Sequence, residues 1–185
     1  GGMTMTTLKD YPPFKYKITK YEKEKCIKIT GFDDSTTNPV IPSYIEGLPV
    51  RIIGACAFNC SKMESIQLPN TLSEIHADAF ALSRLKRISI PDSVKVICSE
   101  FCMGCHFLEE VKWSKSATVI PDSAFQYCAS LKRITNIDSV EMILPSAFEY
   151  TGFSSFILPR NIKALNKYAF ANCDYLKTVK MTRVP

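Results

Sequence analysis

The residues of this chain best suited to chemistry are its sulfur and nitrogen donors. Cys98, Cys102, Cys105 and His106 stand within nine residues in the pattern Cys-x-x-x-Cys-x-x-Cys-His, and thiolate and imidazole are the ligands a tetrahedral zinc site uses. The spacing is not that of a paired Cys-x-x-Cys knuckle, so zinc at residues 98–106 has to be weighed against a place in a core. Nucleophilic catalysis would need a cysteine or serine with a base within hydrogen-bond reach, and only His76 and His106 could be imidazole bases. His76 follows the apolar Ile75 and reads as a surface residue, and His106 adjoins Cys105, where neighbours in sequence usually point apart. Seven glycines, none in a Gly-x-Gly-x-x-Gly or Gly-Lys-Ser arrangement, provide no phosphate cradle. The sequence therefore argues against an enzyme and calls for no cofactor.

What must position these residues is a repeat. Ala-Phe recurs at Ala57-Phe58, Ala79-Phe80, Ala124-Phe125, Ala147-Phe148 and Ala169-Phe170, with Phe101-Cys102 where a further copy falls. The anchors Phe58, Phe80, Cys102, Phe125, Phe148 and Phe170 follow one another at 22, 22, 23, 23 and 22 residues, a period within the range of leucine-rich repeats. An aliphatic residue precedes each anchor by five: Ile53, Ile75, Ile97, Ile120, Ile143 and Leu165. After it come Met63, Leu85, Leu108, Leu131, Phe153 and Leu176, then Ile66, Ile88, Val111, Ile134, Phe156 and Val179, then Leu68, Ile90, Trp113, Asn136, Leu158 and Met181. Asn136 alone among these positions is polar.

Segments such as Leu85-Lys86-Arg87-Ile88-Ser89-Ile90 end in period-two alternation, the mark of a strand with one buried face. Proline follows in Leu68-Pro69, Ile90-Pro91 and Leu158-Pro159 and closes the strand into a turn. Val94-Lys95-Val96-Ile97 predicts a second extended stretch on the opposite wall, and the Ala-Phe stretch a short helix or helical turn. The expected fold is an α/β solenoid: a right-handed leucine-rich repeat of about six turns, with short parallel strands and short helices or helical turns. No single turn can bury its own apolar positions, so the anchors Phe58, Phe80, Cys102, Phe125, Phe148 and Phe170 should form the core only by stacking.

A chain of 185 residues is long enough for one domain with a continuous core. Residues 1–10 read as a tag remnant (Gly1, Gly2) and flexible N-terminus, 11–52 as a β-rich capping module, and 53–185 as repeat turns continuous with it. A net charge of +5, with no block of five or more Lys and Arg, does not fit a nucleic-acid arm. No apolar run approaches the ~20 residues of a spanning helix, so membrane insertion is not expected. If Met3 is the native start there is no classical export signal and the protein is cytoplasmic; if a signal was trimmed, it is secreted or on the cell surface. The sequence does not separate the two.

Eight cysteines (26, 56, 60, 98, 102, 105, 128, 173) take their meaning from position. Cys105, Cys128 and Cys173 share one slot three residues after the anchor. A small hydrophobe with a weak donor suits a buried ladder of reduced thiols there.

Outward strand slots are where a solenoid meets partners. Those slots hold Arg87 and Ser89, Glu110 and Lys112, Arg133 and Thr135, Ile157, and Lys180, a polar and mildly basic face suited to an acidic protein patch or a glycan. No aromatic cluster falls on that face, which weakens carbohydrate stacking. The irregular stretch 98–118 reads either as repeat drift absorbed by repacking or as a binding site.

Ile90-Pro91-Asp92-Ser93-Val94-Lys95-Val96-Ile97 and Pro121-Asp122-Ser123-Ala124-Phe125-Gln126-Tyr127-Cys128-Ala129-Ser130-Leu131 closely resemble the two halves of the BspA-like leucine-rich repeat, found in bacterial and protozoan surface antigens. Phe14-x-Tyr16-x-Ile18, Ile27-x-Ile29-x-Gly31 and Ile41-Pro42-Ser43-Tyr44-Ile45-Glu46-Gly47-Leu48-Pro49-Val50 look like that family's opening module. The resemblance covers about residues 11–182. It implies a protein-protein interaction scaffold, adhesin-like at a cell surface, that binds a host or matrix protein. The alternative is a structural role through the solenoid ends. The last strand has no visible polar cap after it, and a homo-oligomer formed through the open C-terminal end is its expected outcome.

Overall fold

The computed structural model describes residues 9–182; the tag remnant expected at Gly1 and Gly2 lies outside them. Fifteen strands and, among the described residues, no helix make up the fold. It opens as a meander: β1 (Lys9–Tyr11) pairs antiparallel with β2 (Phe14–Tyr21), and β2 with β3 (Glu24–Phe32). The β2–β3 hairpin turns on Glu22 and Lys23, with φ of 49° and 70°, the left-handed pair a tight two-residue hairpin requires. A second hairpin joins β4 (Tyr44–Ile45) to β5 (Leu48–Ile53) through Glu46-Gly47, at φ 53° and 75°.

From β5 onward every pairing is parallel. One wall runs β5, β6 (Glu74–Ile75) and β8 (Val96–Ile97), then β10 (Val119–Ile120), β12 (Met142–Ile143) and β14 (Ala164–Leu165). Because β3 also pairs parallel with β5, the capping module supplies a rung of this wall. The solenoid therefore has about seven turns where the anchors alone predicted about six. The other wall carries β7 (Arg87–Ser89), β9 (Glu110–Lys112) and β11 (Arg133–Thr135) in one sheet, with β13 (Ser155–Leu158) and β15 (Thr178–Met181) in another.

The expected short helices at the Ala-Phe segments are absent among the described residues, so the fold is a β-solenoid and not α/β. Each segment carries left-handed residues on both sides of its anchor: Cys56 and Cys60 around Phe58, Asp78 and Leu82 around Phe80, Ser123 and Tyr127 around Phe125, Ser146 and Tyr150 around Phe148. A left-handed residue every fourth position excludes a helix. The backbone bonds between turns instead: Cys56, Phe58 and Cys60 donate their N–H groups to the carbonyls of Ala77, Ala79 and Ala81, while Ala57, Asn59 and Ser61 close local turns. The donors a helix would spend on itself form a third ladder along the solenoid.

Inside, the anchor rings stack from turn to turn. Phe58 lies 5.3 Å from Phe80 and Phe125 5.5 Å from Phe148, both nearly parallel. In the third turn the order is inverted: Phe101 occupies the Ala slot and Cys102 the Phe slot, as the bonds Phe80 N–H to Phe101 O and Cys102 N–H to Ala124 O establish. The Phe101 ring still enters the stack, edge-on, 5.5 Å from Phe80 and 5.8 Å from Phe125. Trp113 lies 5.9 Å from Phe125, fully buried, with Nε1 donating to Ala117 O at 2.9 Å. The large indole compensates the small anchor, so here the irregular stretch is repacked core. Phe58, Phe80, Cys102, Phe125 and Phe148 are buried as expected, but Phe170 is only partly so. It belongs to the last turn, where no described turn covers Leu165, Val179 and Met181 either.

Candidate functional site

The parallel register sets the outward side chains of the main strands in rows. Arg87, Glu110 and Arg133 form one row and Ser89, Lys112 and Thr135 the next, while Ile157 stands beside Lys180 on the last two strands. Ile88 and Val111 between them are buried, so alternation fixes which side chains reach solvent. Arg87, Ser89, Glu110, Lys112, Arg133 and Lys180 are exposed and Thr135 half-buried. Ile157 is a large apolar side chain, 61% exposed. Arg133 Nε lies 3.7 Å from Glu110 Oε1, an exposed pair of little energetic weight that orients the row.

This face is not one continuous sheet. β11 bonds to β9, and β13 to β15, but among the described residues no backbone hydrogen bond joins β11 to β13. Most Cα pairs between those two strands are more than 8 Å apart, against ~4.8 Å for paired strands. The two other walls stay closed across the same turns: Val119 pairs with Met142, and Phe125 N–H donates to Ala147 O. The result is a wedge-shaped cleft of about 410 Å³, with Arg133, Thr135 and Asn136 on one lip, Ser155, Ile157 and Pro159 on the other, and Ile134, Phe153 and Phe156 toward the core. Two departures from the repeat border it. Asn136, directly after β11, takes a left-handed conformation, φ 65°. Phe153 and Phe156, in slots where most turns hold Leu and Ile or Val, lie 5.7 and 5.1 Å from Phe148.

The four donors considered for zinc do not converge. Cys102 and Cys105 are fully buried, Cys98 lies after β8 on the opposite wall, and His106 is exposed. Among the described residues no group of three or more His, Cys, Asp or Glu is placed to hold a metal ion. The shared cysteine slot is a ladder of reduced thiols: Cys105, Cys128 and Cys173 donate to the carbonyls of Phe80, Cys102 and Phe148 at 3.1, 3.1 and 3.0 Å. Burial pushes the Cys102 and Cys128 thiols well up. His76 is half-buried rather than on the surface, and burial, helped by Lys28, lowers its pKa.

Sequence reasoning missed one surface feature. Tyr127 and Tyr150 stack at 5.1 Å, are 45% and 42% exposed, and are both left-handed, at φ 64° and 57°. They lie on the edge made by the anchor segments and not on the strand face. With Tyr175, 70% exposed, they line a cleft of about 230 Å³. Gln126 Nε2 donates to Glu149 Oε2 beside them at 2.9 Å. Both tyrosines stand two residues after an anchor, the slot of Gly104, and that repetition was the available signal.

Among the described residues no helix is long and apolar enough to cross a membrane. The comparison with curated proteins gives no match. Among solved structures, the chain is similar to a leucine-rich cell surface protein from Faecalibacterium prausnitzii A2-165 (TM-score 0.68, 24% identity, covering 97% of this chain and 56% of that one). It is also similar to the pneumococcal vaccine antigen PcpA (0.72, 19%, 95% and 49%) and to a leucine-rich repeat protein from Eubacterium ventriosum (0.64, 16%, 91% and 51%). The chain thus spans about half the length of each, and at these identities the likeness establishes the fold alone. Six copies of the family model described as "BspA type Leucine rich repeat region" match residues 51–177. That is well over half of the sequence, and the chain belongs to the BspA-type leucine-rich repeat family.

Proposed function

We propose that the chain is an interaction scaffold that engages a protein partner through its main strand face, in an adhesin-like role toward a host or matrix protein. The observation that supports this reading is the alternation along β7 and β9. Their inward residues are fixed by the core, while Arg87, Ser89, Glu110 and Lys112, with Arg133 beside them, project from a rigid ladder and are free to vary without cost to the fold. Charged rows of this kind steer an oppositely charged partner and set its register. The test is retention of purified matrix proteins on the immobilised chain, compared with an Arg87→Glu/Arg133→Glu variant of unchanged circular dichroism. Retention lost in the variant supports the face; equal retention removes it.

A second reading, association through the solenoid end, has its own support. Leu165, Val179 and Met181 are 41%, 44% and 59% exposed on the last turn, apolar surface that stacking on another turn would bury. Light scattering across a concentration series tests it, and a concentration-independent monomer argues against it.

A further inference from the structure

We propose that the gap between β11 and β13 is a strand-addition site, which takes an extended segment of a partner protein carrying alternating apolar and acidic residues. The proposal rests on the scaffold reading above and names how one part of the strand face would be used.

The backbone carries the argument. Ile90 N–H donates to Lys112 O and Trp113 N–H to Thr135 O, so on each main strand the groups of one residue parity face the following turn. By that alternation the N–H and C=O of Ile134 face the gap from β11, and those of Ile157 face it from β13. In the closed part of the ladder their counterparts, Ile88 and Val111 for Ile134 and Lys112 and Thr135 for Ile157, sit at paired positions. Here the next strand, β13, belongs to a separate sheet and, among the described residues, makes no backbone hydrogen bond to β11. Two facing strand edges, each satisfied on its far side, present donors and acceptors that an inserted backbone completes, as in recognition by β-augmentation.

Side chains define the occupant further. Residues of an inserted strand that point inward would lie over Phe153 and Phe156, and so must be apolar. Those pointing outward would lie beside Lys132 and Arg133 at a rim whose own lining carries one carboxylate, Asp138, with Glu110 pairing Arg133 from the β9 side, and so are best acidic. Ile157 gives the outer lip one apolar contact.

The test uses the acetylated, amidated peptide Glu-Val-Glu-Val-Glu-Val-Glu as probe, read by fluorescence anisotropy and amide hydrogen exchange on the intact chain. In the chain alone the Ile134 and Ile157 amides exchange faster than those of Ile88 and Val111, and the peptide protects them. Methylating alternate peptide nitrogens removes ladder donors and weakens binding about tenfold or more, the equivalent of ~1.4 kcal/mol. Arg133→Glu weakens binding also, and Lys95→Glu, on the opposite wall, leaves it unchanged. Ile134 and Ile157 amides already as protected as Ile88 would overturn the proposal, as would a methylated peptide that binds equally well. So would no binding at millimolar peptide. If these fail while an Arg87-dependent partner is still retained, only the gap is removed and the scaffold reading stands.

Discussion

Asn136 Nδ2 donates to Asp92 Oδ1 at 2.9 Å across 44 residues of sequence, and to Trp113 O at 2.7 Å. The one polar residue among the repeated apolar positions thus ties its own turn to the two before it. Asp92 Oδ1 also accepts from Lys115 N–H at 3.1 Å, so a single carboxylate oxygen gathers three successive turns at the end of the β7–β9–β11 sheet.

Restoring the repeat pattern there should harm the protein. Asn136→Leu strips two hydrogen bonds, one to a charged acceptor, and places a branched side chain at φ 65°. We expect a loss of about 1–3 kcal/mol in denaturant melts, from the bonds and the strained conformation. A variant at least as stable as the parent would show that Asn136 is drift without structural value.

The same cluster has a pH signature. Hydrogen bonding from the Lys115 backbone, then from Asn136, holds the Asp92 carboxyl below its ordinary 3.8. A depressed folded-state value contributes stability that is fully present above the unfolded value and is lost as pH falls through the folded one. The stability difference between the parent and Asp92→Asn should therefore be flat above about pH 5 and shrink below 3.8. Chemical denaturation across that range measures it, and a difference that grows on acidification contradicts the assignment.

Position along the stack should grade the cost of losing an anchor. Phe125 touches Phe101, Trp113 and Phe148 and is fully buried, so Phe125→Ala should cost about 3–5 kcal/mol. Phe170 is half-buried on the last turn, and Phe170→Ala should cost clearly less. Equal losses would mean that the ends are as well covered as the middle.

Thiol chemistry separates the two kinds of cysteine. Cys56 and Cys60 are exposed, whereas Cys102, Cys105 and Cys128 are buried. A thiol reagent should label the first pair at once, while the buried three react only on unfolding, identified by peptide mass mapping. Rapid native labelling of Cys105 would contradict the thiol ladder.

The solenoid and its core were legible because the core is periodic: the anchor at 22 or 23 residues and the alternation around Ile88 and Val111 are properties of residue type at fixed spacing. The helices expected at the Ala-Phe segments were not corrected by the sequence, since Ser123, Leu82 or Tyr150 carry no mark of the left-handed conformation each adopts. What separates a helix from this ladder is where N–H groups find carbonyls one turn away. Alternation likewise accounts for the exposure of Arg87, Ser89, Glu110, Lys112, Arg133 and Lys180, while Thr135 is half-buried. The gap in their sheet was not legible, although Asn136 beside it stood in view as a departure from the repeat. Reading it as a broken ladder needed the pairing between strands, which no single turn encodes.

The closed end of that gap gives the sharpest check on its origin. Gly152 N–H donates to Leu131 O at 3.0 Å, the bond that still joins the two turns before the strands part. A Cβ at Gly152 would press into the Ala129 carbonyl oxygen and crowd Leu131 O as well, and both are backbone atoms that cannot rotate aside. Gly152→Ala should therefore push these turns apart, at roughly the 1–3 kcal/mol typical of overpacking. The effect should be local: faster amide exchange at Gly152 and across β13, with the Val119–Met142 rung of the other wall unchanged. An alanine tolerated without loss of stability or protection would mean that the turns are not held at this contact, and that the wedge closes and opens elsewhere.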